Sequence, residues 1–148
     1  VYKGQGEFEL ACDSDGPLAA LVFKTAADPF VGRLSYFRVY SGTLGSDSQC
    51  WNANKSEAER VGQVFVVNGK SQDSLGSLAA GDIGALSRLN SVVTGDTISS
   101  RENPIVIEGL NFPIPVHHMA VSPKTKADVD KMTSSLSRIV EEDPPDRF

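Results

Sequence analysis

The sequence predicts a mainly β fold followed by one α-helix. The first observation is a succession of about seven short segments between Pro17 and Glu108, rich in apolar and β-branched residues and separated by turn-forming residues. The second is an apolar stripe with helical spacing that begins after Thr125. Together these patterns indicate an antiparallel β-barrel or sandwich, followed by a smaller α/β fragment.

The β segments are justified by their composition and by the turns between them. In 32–40 apolar side chains occupy both faces, as expected for a strand that is covered on both sides or lies in a barrel. The valine-rich segment 60–67 runs directly into Asn68-Gly69, a dipeptide that predicts a tight hairpin turn. Further strands are predicted at 18–24, 49–52, 75–80, 81–86, 97–98 and 104–108.

The carboxyl-terminal part changes from β to α patterning. Residues 116–121 are a strand candidate, and a helix is predicted over 126–142 with Thr125 and Asp128 as a capping box. One strand and one helix rarely make a stable domain, so we expect the chain to be an excised piece of a longer protein. The helix should then pack against another copy in non-native self-association, dock on the barrel or fray. The apolar stripe consists of Val129, Met132, Leu136, Ile139 and Val140.

Composition excludes several classes of protein. The chain has 148 residues, of which 40% are hydrophobic and 22% charged, which suits one ordinary domain or a domain plus a fragment. No apolar run approaches the roughly 18 residues of a membrane span, and two cysteines indicate a reducing compartment with one optional disulfide. The net charge of −5 is concentrated in 1–16 and 139–148. It excludes a strongly basic, non-specific nucleic-acid binder but leaves a nucleic-acid partner open.

The sequence predicts no catalytic, cofactor-binding or metal-binding residue. Gly69-Lys70-Ser71 resembles the end of a phosphate-binding loop, but Val64 stands where the earlier glycine is needed, so a hairpin turn is favoured. The neighbouring His117 and His118 would point to opposite faces of a strand. Asp82 and Asp96 each follow a glycine and are predicted to be turn residues rather than a catalytic pair.

Several segments of the chain form an ordered set of motifs. The set begins at Phe23-Lys24 and ends at 141–144. Between these limits lie the segments 28–34, 37–44, 59–62, 80–85, 94–97, 112–116 and 123–128. In this order the segments resemble bacterial translation elongation factor G or an elongation factor G-like paralogue.

The resemblance implies a translation-factor-type antiparallel β-barrel followed by a truncated α/β fragment of split β-α-β type. The barrel, similar to domain II, would span 17–109, after a linker or remnant of the preceding GTPase domain at 1–16. A second linker at 110–115 would lead into the first strand and helix of a domain III-like unit at 116–148.

The same resemblance implies a function. The parent protein would be a cytoplasmic ribosomal GTPase that drives GTP-dependent translocation, with GTP and Mg²⁺ bound outside this fragment. The barrel would contact small-subunit ribosomal RNA and the parent's GTPase domain without hydrolysing GTP. The candidate RNA contacts are Lys24, Arg33, Arg38 and Arg60, with solvated barrel-face charges as the alternative, and Phe30 is either a partner contact or a core residue.

Two alternatives remain open at this point. The parent could be a release-factor or ribosomal-protection GTPase that contains an equivalent fragment. From another class altogether, the chain could be a self-contained small β-barrel enzyme with a site built on Asp82, Asp96 or His117.

Overall fold

Antiparallel β-strands dominate the amino-terminal two thirds of the chain, which confirms the mainly β prediction. A computed structural model describes residues 2–3, 6–7, 9–28, 32–69, 71–87, 89–109 and 116–142. It divides into two units, Val1–Leu110 and Asn111–Phe148. The strands are β1 Tyr2–Lys3, β2 Gly6–Glu7, β3 Ala19–Asp28, β4 Gly32–Ser41, β5 Thr43–Gly45, β6 Gln49–Asn52, β7 Glu57–Arg60, β8 Val64–Asn68, β9 Ser71–Leu75, β10 Ser77–Ala79, β11 Ile83–Ser87 and β12 Thr97–Ser99.

The strands of the first unit form one large sheet and two small ones. The large sheet has eight strands in the order β7-β6-β12-β3-β4-β11-β8-β9, while β10 pairs with β5 and β1 with β2. Every pairing is antiparallel. The predicted hairpin is confirmed, because β8 and β9 pair up to Asn68 opposite Ser71, and Gly69 in the turn has a φ of 60°.

Among the described residues, the largest of three apolar clusters joins the large sheet to the β5–β10 sheet. Phe37 of β4 is fully buried in it, as are Leu44 of β5 and Ile98 of β12. Side chains from both sheets therefore share one interior, as in a barrel-like fold of the translation-factor type. The other core residues are Ala20, Val22, Val39, Cys50, Val61, Val64, Leu78, Leu86, Leu89 and Val92.

The apolar segment near residue 106 covers the sheet instead of extending it. Only Val106 makes a bridge there, so the prediction of a strand over 104–108 is wrong. Ile105 and Ile107 are buried against the second face of β3, and the Ile107 amide donates to the Thr97 hydroxyl at 3.0 Å. This packing explains why both faces of β3 are apolar.

The predicted strand over 60–67 is interrupted. Strand β7 ends at Arg60 and β8 begins at Val64. Between them the Val61 amide donates to the Ser48 carbonyl at 2.9 Å, and the Gly62 carbonyl accepts from Asp47 at 3.0 Å. These bonds hold residues 61–62 against the β5–β6 turn, so beyond Arg60 the valine-rich segment is a strand only from Val64 onward.

The segment before β3 is fastened to the turn between β4 and β5. The Gly42 amide donates to the Asp13 carbonyl at 2.8 Å, and the Thr43 hydroxyl donates to the Ser14 carbonyl at 3.1 Å. Residues 13–16, which the sequence predicts to be part of a linker, therefore lie against this turn.

The second unit contains the predicted helix. A 3₁₀ turn, Lys126–Asp128, leads into α1, Val129–Glu142. The Thr125 hydroxyl bonds the Asp128 carboxylate at 2.7 Å rather than a backbone amide, so the capping box is altered. The stripe residues Val129, Leu136, Ile139 and Val140 are exposed. No helix within 116–142 or the other described ranges is long and apolar enough to cross a membrane.

The predicted strand over 116–121 is wrong, because the structure assigns no strand to these residues. A strand is stabilised by its ladder partner, and no described segment pairs with this one. Val116 is 97% exposed, so its side chain contributes little burial that would fix an extended conformation.

Candidate functional site

The outer surface of β3 and β4 combines positive charge with aromatic rings. Phe37 and Val39 point into the core, so Tyr36, Arg38 and Tyr40 share the opposite face of β4. Lys24 on β3 pairs in register with Tyr36, which makes it a diagonal neighbour of Arg38. We refer to Lys24, Tyr36, Arg38 and Tyr40 as the basic face.

The basic face is accessible and partly ordered by ring contacts. Lys24 and Arg38 are exposed, and Tyr40 is 38% exposed. The Arg38 guanidinium carbon lies 5.5 Å from the Tyr40 ring centroid, a cation–π geometry that holds the guanidinium plane over the ring. Ile83 of β11 pairs with Arg38 of β4 and places an exposed apolar side chain next to the basic face. Such a surface offers positive charge for phosphates together with flat groups for stacking.

Arg33 is not part of the basic face. It lies at the other end of β4, five residues from Arg38, which is about 17 Å along an extended strand. Its side chain is half-buried, and Nη2 donates to the Val92 carbonyl at 2.6 Å. The guanidinium therefore fastens the loop before β12 to β4.

Arg60 and Phe30 are also separate from it. Arg60 is exposed on β7, which β6, β12 and β3 separate from β4. Phe30 lies outside the described residues. The structure therefore brings together Lys24 and Arg38 among the residues that the sequence predicts as contacts.

A buried polar cluster fixes the loop before β12. The Asp96 carboxylate accepts from the Asn52 side-chain amide at 2.9 Å and from the Val93 backbone amide at 3.0 Å. The Lys55 ammonium lies 3.3 Å from the same carboxylate and also donates to the Ser91 carbonyl. Asn52 and Asp96 are buried, so each hydrogen bond satisfies a group that water does not reach.

Glu59 holds the same loop from β7. Its buried carboxylate accepts from the backbone amides of Asn90 and Ser91. Burial raises the pKa of this carboxyl, but hydrogen bonds from Ser91, Asn90 and Arg60 outweigh burial and leave the pKa below its ordinary value of 4.5. Burial and the charge of Glu59 raise the pKa of the Cys50 thiol to about 12, so Cys50 is a core residue rather than a nucleophile.

The lowered pKa of Glu59 predicts an acid-sensitive contribution to stability. The ionised carboxylate stabilises the fold fully above pH 4.5, and this contribution is lost as the pH falls through the lower pKa of the folded state. We expect Glu59→Gln to lower the free energy of unfolding at pH 7 by about 1–3 kcal/mol, with a difference from the native chain that shrinks below pH 4.5. Urea titrations across pH 3–7 measure this, and Glu57→Gln on the same strand is the control. A constant difference at all pH values would contradict the assignment.

The sequence gives little sign of this cluster. Lys55 lies in a polar turn segment, and the alternation of Glu57 and Glu59 on β7 does not distinguish the buried carboxylate from the exposed one. Asp96 follows a glycine, as Asp82 does, yet Asp96 is buried while Asp82 is exposed and accepts from the Ala79 amide.

The other residues considered for chemistry do not assemble into a site. His117 and His118 are exposed, and Asp82 and Asp96 lie in different turns. Among the described residues, no group of three His, Cys, Asp or Glu side chains is placed to hold a metal. Gly69 lies in the β8–β9 turn, Ser71 begins β9 and Val64 is a buried strand residue, so these residues form a hairpin rather than a glycine-rich loop.

Comparisons with known proteins agree with this architecture. The family model described as elongation factor G domain 2 matches residues 17–101, and the model described as Elongation Factor G, domain III matches residues 112–145. A crystal structure of a protein from Thermus thermophilus is similar with a TM-score of 0.72 and 26% identity. The similarity covers 88% of this chain and 20% of the Thermus chain. The domain 2 model alone spans more than half of the 148 residues of the present chain. The chain therefore belongs to the elongation factor G family.

Proposed function

We propose that the chain is the barrel platform and the beginning of domain III of a ribosomal translational GTPase of the elongation factor G type. The barrel contacts small-subunit ribosomal RNA and the parent's GTPase domain during GTP-dependent translocation in the cytoplasm. The chain itself does not hydrolyse GTP. The observation that carries the proposal is the match of domain 2 and domain III models, in that order, along one chain.

The basic face supports the choice of RNA as a partner. Lys24 and Arg38 are diagonal neighbours on adjacent strands of an antiparallel sheet. The chain has a net charge of −5, so two adjacent exposed cations are a local exception that favours approach of a polyanion. Because β3 and β4 pair along most of their length, the two cations keep a fixed spacing.

Charge reversal of the basic face tests the proposal. We expect the double variant Lys24→Glu/Arg38→Glu to lose about tenfold or more in affinity for purified bacterial small ribosomal subunits at low salt. The slope of log affinity against log salt concentration should fall by about 1 for each phosphate contact removed. Sedimentation of the full chain with subunits at several KCl concentrations measures both quantities.

A matched control distinguishes the effect of the basic face on binding from the effect of total charge. Lys126→Glu/Lys131→Glu makes the same change in net charge on exposed residues of the second unit, and its affinity should stay within about twofold of the native chain. Equal losses in the two double variants, or no binding that depends on salt, would contradict a role for the basic face.

A further inference from the structure

A cavity of about 520 Å³ lies beside β7 in the first unit. It is lined by Asp47, Arg60, Gly62 and Asn90. Its volume falls within the range of pockets that hold small organic groups. The cavity is separate from the basic face, because β6, β12 and β3 lie between β7 and β4.

The walls of the cavity are fixed by hydrogen bonds. The Asp47 amide donates to the Gly62 carbonyl at 3.0 Å, and the Glu59 carboxylate accepts from the Asn90 amide. Asp47 adopts a left-handed φ of 55°, which aspartate tolerates better than most residues and which sets the direction of its side chain. The backbone around the cavity is therefore fixed by hydrogen bonds.

The charged groups at the cavity are not used inside the fold. In the described part of the chain, neither the Asp47 carboxylate nor the Arg60 guanidinium makes a hydrogen bond or ion pair. Asn90 contributes a side-chain amide that both donates and accepts. Asp47 and Arg60 thus line one cavity, and their side chains carry a pair of acceptor oxygens and a fork of donors.

This set of groups matches the edges of a guanine base. Guanine carries two adjacent N–H donors on its Watson–Crick edge, which suit the Asp47 carboxylate, and two acceptors, O6 and N7, which suit the Arg60 fork. Adenine and cytosine present an acceptor nitrogen where guanine presents a donor, and uracil has one donor between two acceptors. A phosphate would approach Asp47 as a like charge.

We propose that this cavity binds an unpaired guanine base of a structured RNA. The inference rests on the proposed function for the presence of RNA, and it adds a site that reads a base to a surface that holds phosphates. Asp47 accepts from the Watson–Crick edge, Arg60 donates to O6 and N7, and Asn90 lies beside the base.

Nucleosides test the site without the contribution of phosphates. In ¹H–¹⁵N NMR titrations of the full chain, guanosine should shift the backbone amides of Asp47, Gly62 and Asn90, with an affinity about fivefold or more above that for adenosine, cytidine and uridine. Equal responses to the four nucleosides, or shifts confined to other residues, would overturn the proposal.

Variants test the assigned roles. Asp47→Asn keeps a residue that tolerates the left-handed conformation but replaces one acceptor by a donor, so guanosine affinity should fall about fivefold or more. Glu57→Gln, an exposed change on the same strand as Arg60, should leave it unchanged. Unaltered guanosine binding by Asp47→Asn would overturn the proposal. Ribosomal binding through Lys24 and Arg38 is measured independently, so failure of the cavity and failure of the proposed function give different results.

Discussion

Asp96→Ala is expected to lower the free energy of unfolding by about 3–5 kcal/mol. The substitution removes the shared acceptor of the Asn52 amide, the Val93 backbone amide and the Lys55 ammonium. Asn52 is fully buried, so its donor cannot turn to water, and each unsatisfied buried group costs about 1–3 kcal/mol. Urea unfolding followed by the fluorescence of Trp51, the single tryptophan, measures the loss.

Two further variants define the cause of the loss. Asp82→Ala removes a carboxylate that also follows a glycine but accepts one amide at an exposed turn, so it should cost less than about 1.5 kcal/mol. Asp96→Asn keeps one acceptor without the charge and should fall between the two. A loss below about 1 kcal/mol for Asp96→Ala would contradict this assignment. It would mean that water takes the place of the carboxylate and accepts the hydrogen bonds of its donors.

Gly42→Ala is expected to destabilise the chain by about 3 kcal/mol or more. Gly42 has a φ of 75°, where residues with a Cβ are strained. A Cβ there would lie 2.7 Å from the Cα of Leu18 and 2.9 Å from the Gly16 carbonyl oxygen. These atoms belong to the backbone and cannot rotate away, so the amino-terminal segment must separate from the β4–β5 turn. Denaturation by urea and hydrogen exchange of the Gly42 amide measure the effect.

Gly69→Ala is the matched control for the backbone conformation. Gly69 has a φ of 60° but nothing within 4 Å of an added Cβ, so the cost should be about 1–2 kcal/mol. Equal losses at the two glycines would show that the backbone conformation alone determines the destabilisation. The contact with residues 16–18 would then contribute little to the free energy of unfolding.

Most of the strand positions follow from local sequence. The strand over 32–40 and the hairpin at Asn68-Gly69 are predicted from neighbouring residues, and the structure confirms both. The errors occur where a segment needs a distant partner. Ile105 and Ile107 have the composition of a strand but pack on β3, and residues 116–121 have no described strand to pair with.

The candidate site was less predictable because it depends on register. Counting by twos from the core residue Val22 would place Lys24 inside the barrel. A register shift between Val22 and Lys24 places Lys24 opposite Tyr36 on the outer surface instead. The sequence identifies Lys24 and Arg38 as candidate cations, but only the bulge makes them neighbours. Arg33, the third candidate on these strands, instead binds the loop before β12.

The bonds between residues 13–14 and the β4–β5 turn have a mechanical consequence. Gly42 and Thr43 donate these hydrogen bonds directly beside the end of β4, the strand that carries Arg38 and Tyr40. A force applied to the chain before Asp13 would act on these two hydrogen bonds before it could separate β3 from the sheet. A displacement of residues 13–14 would therefore be transmitted directly to the end of β4.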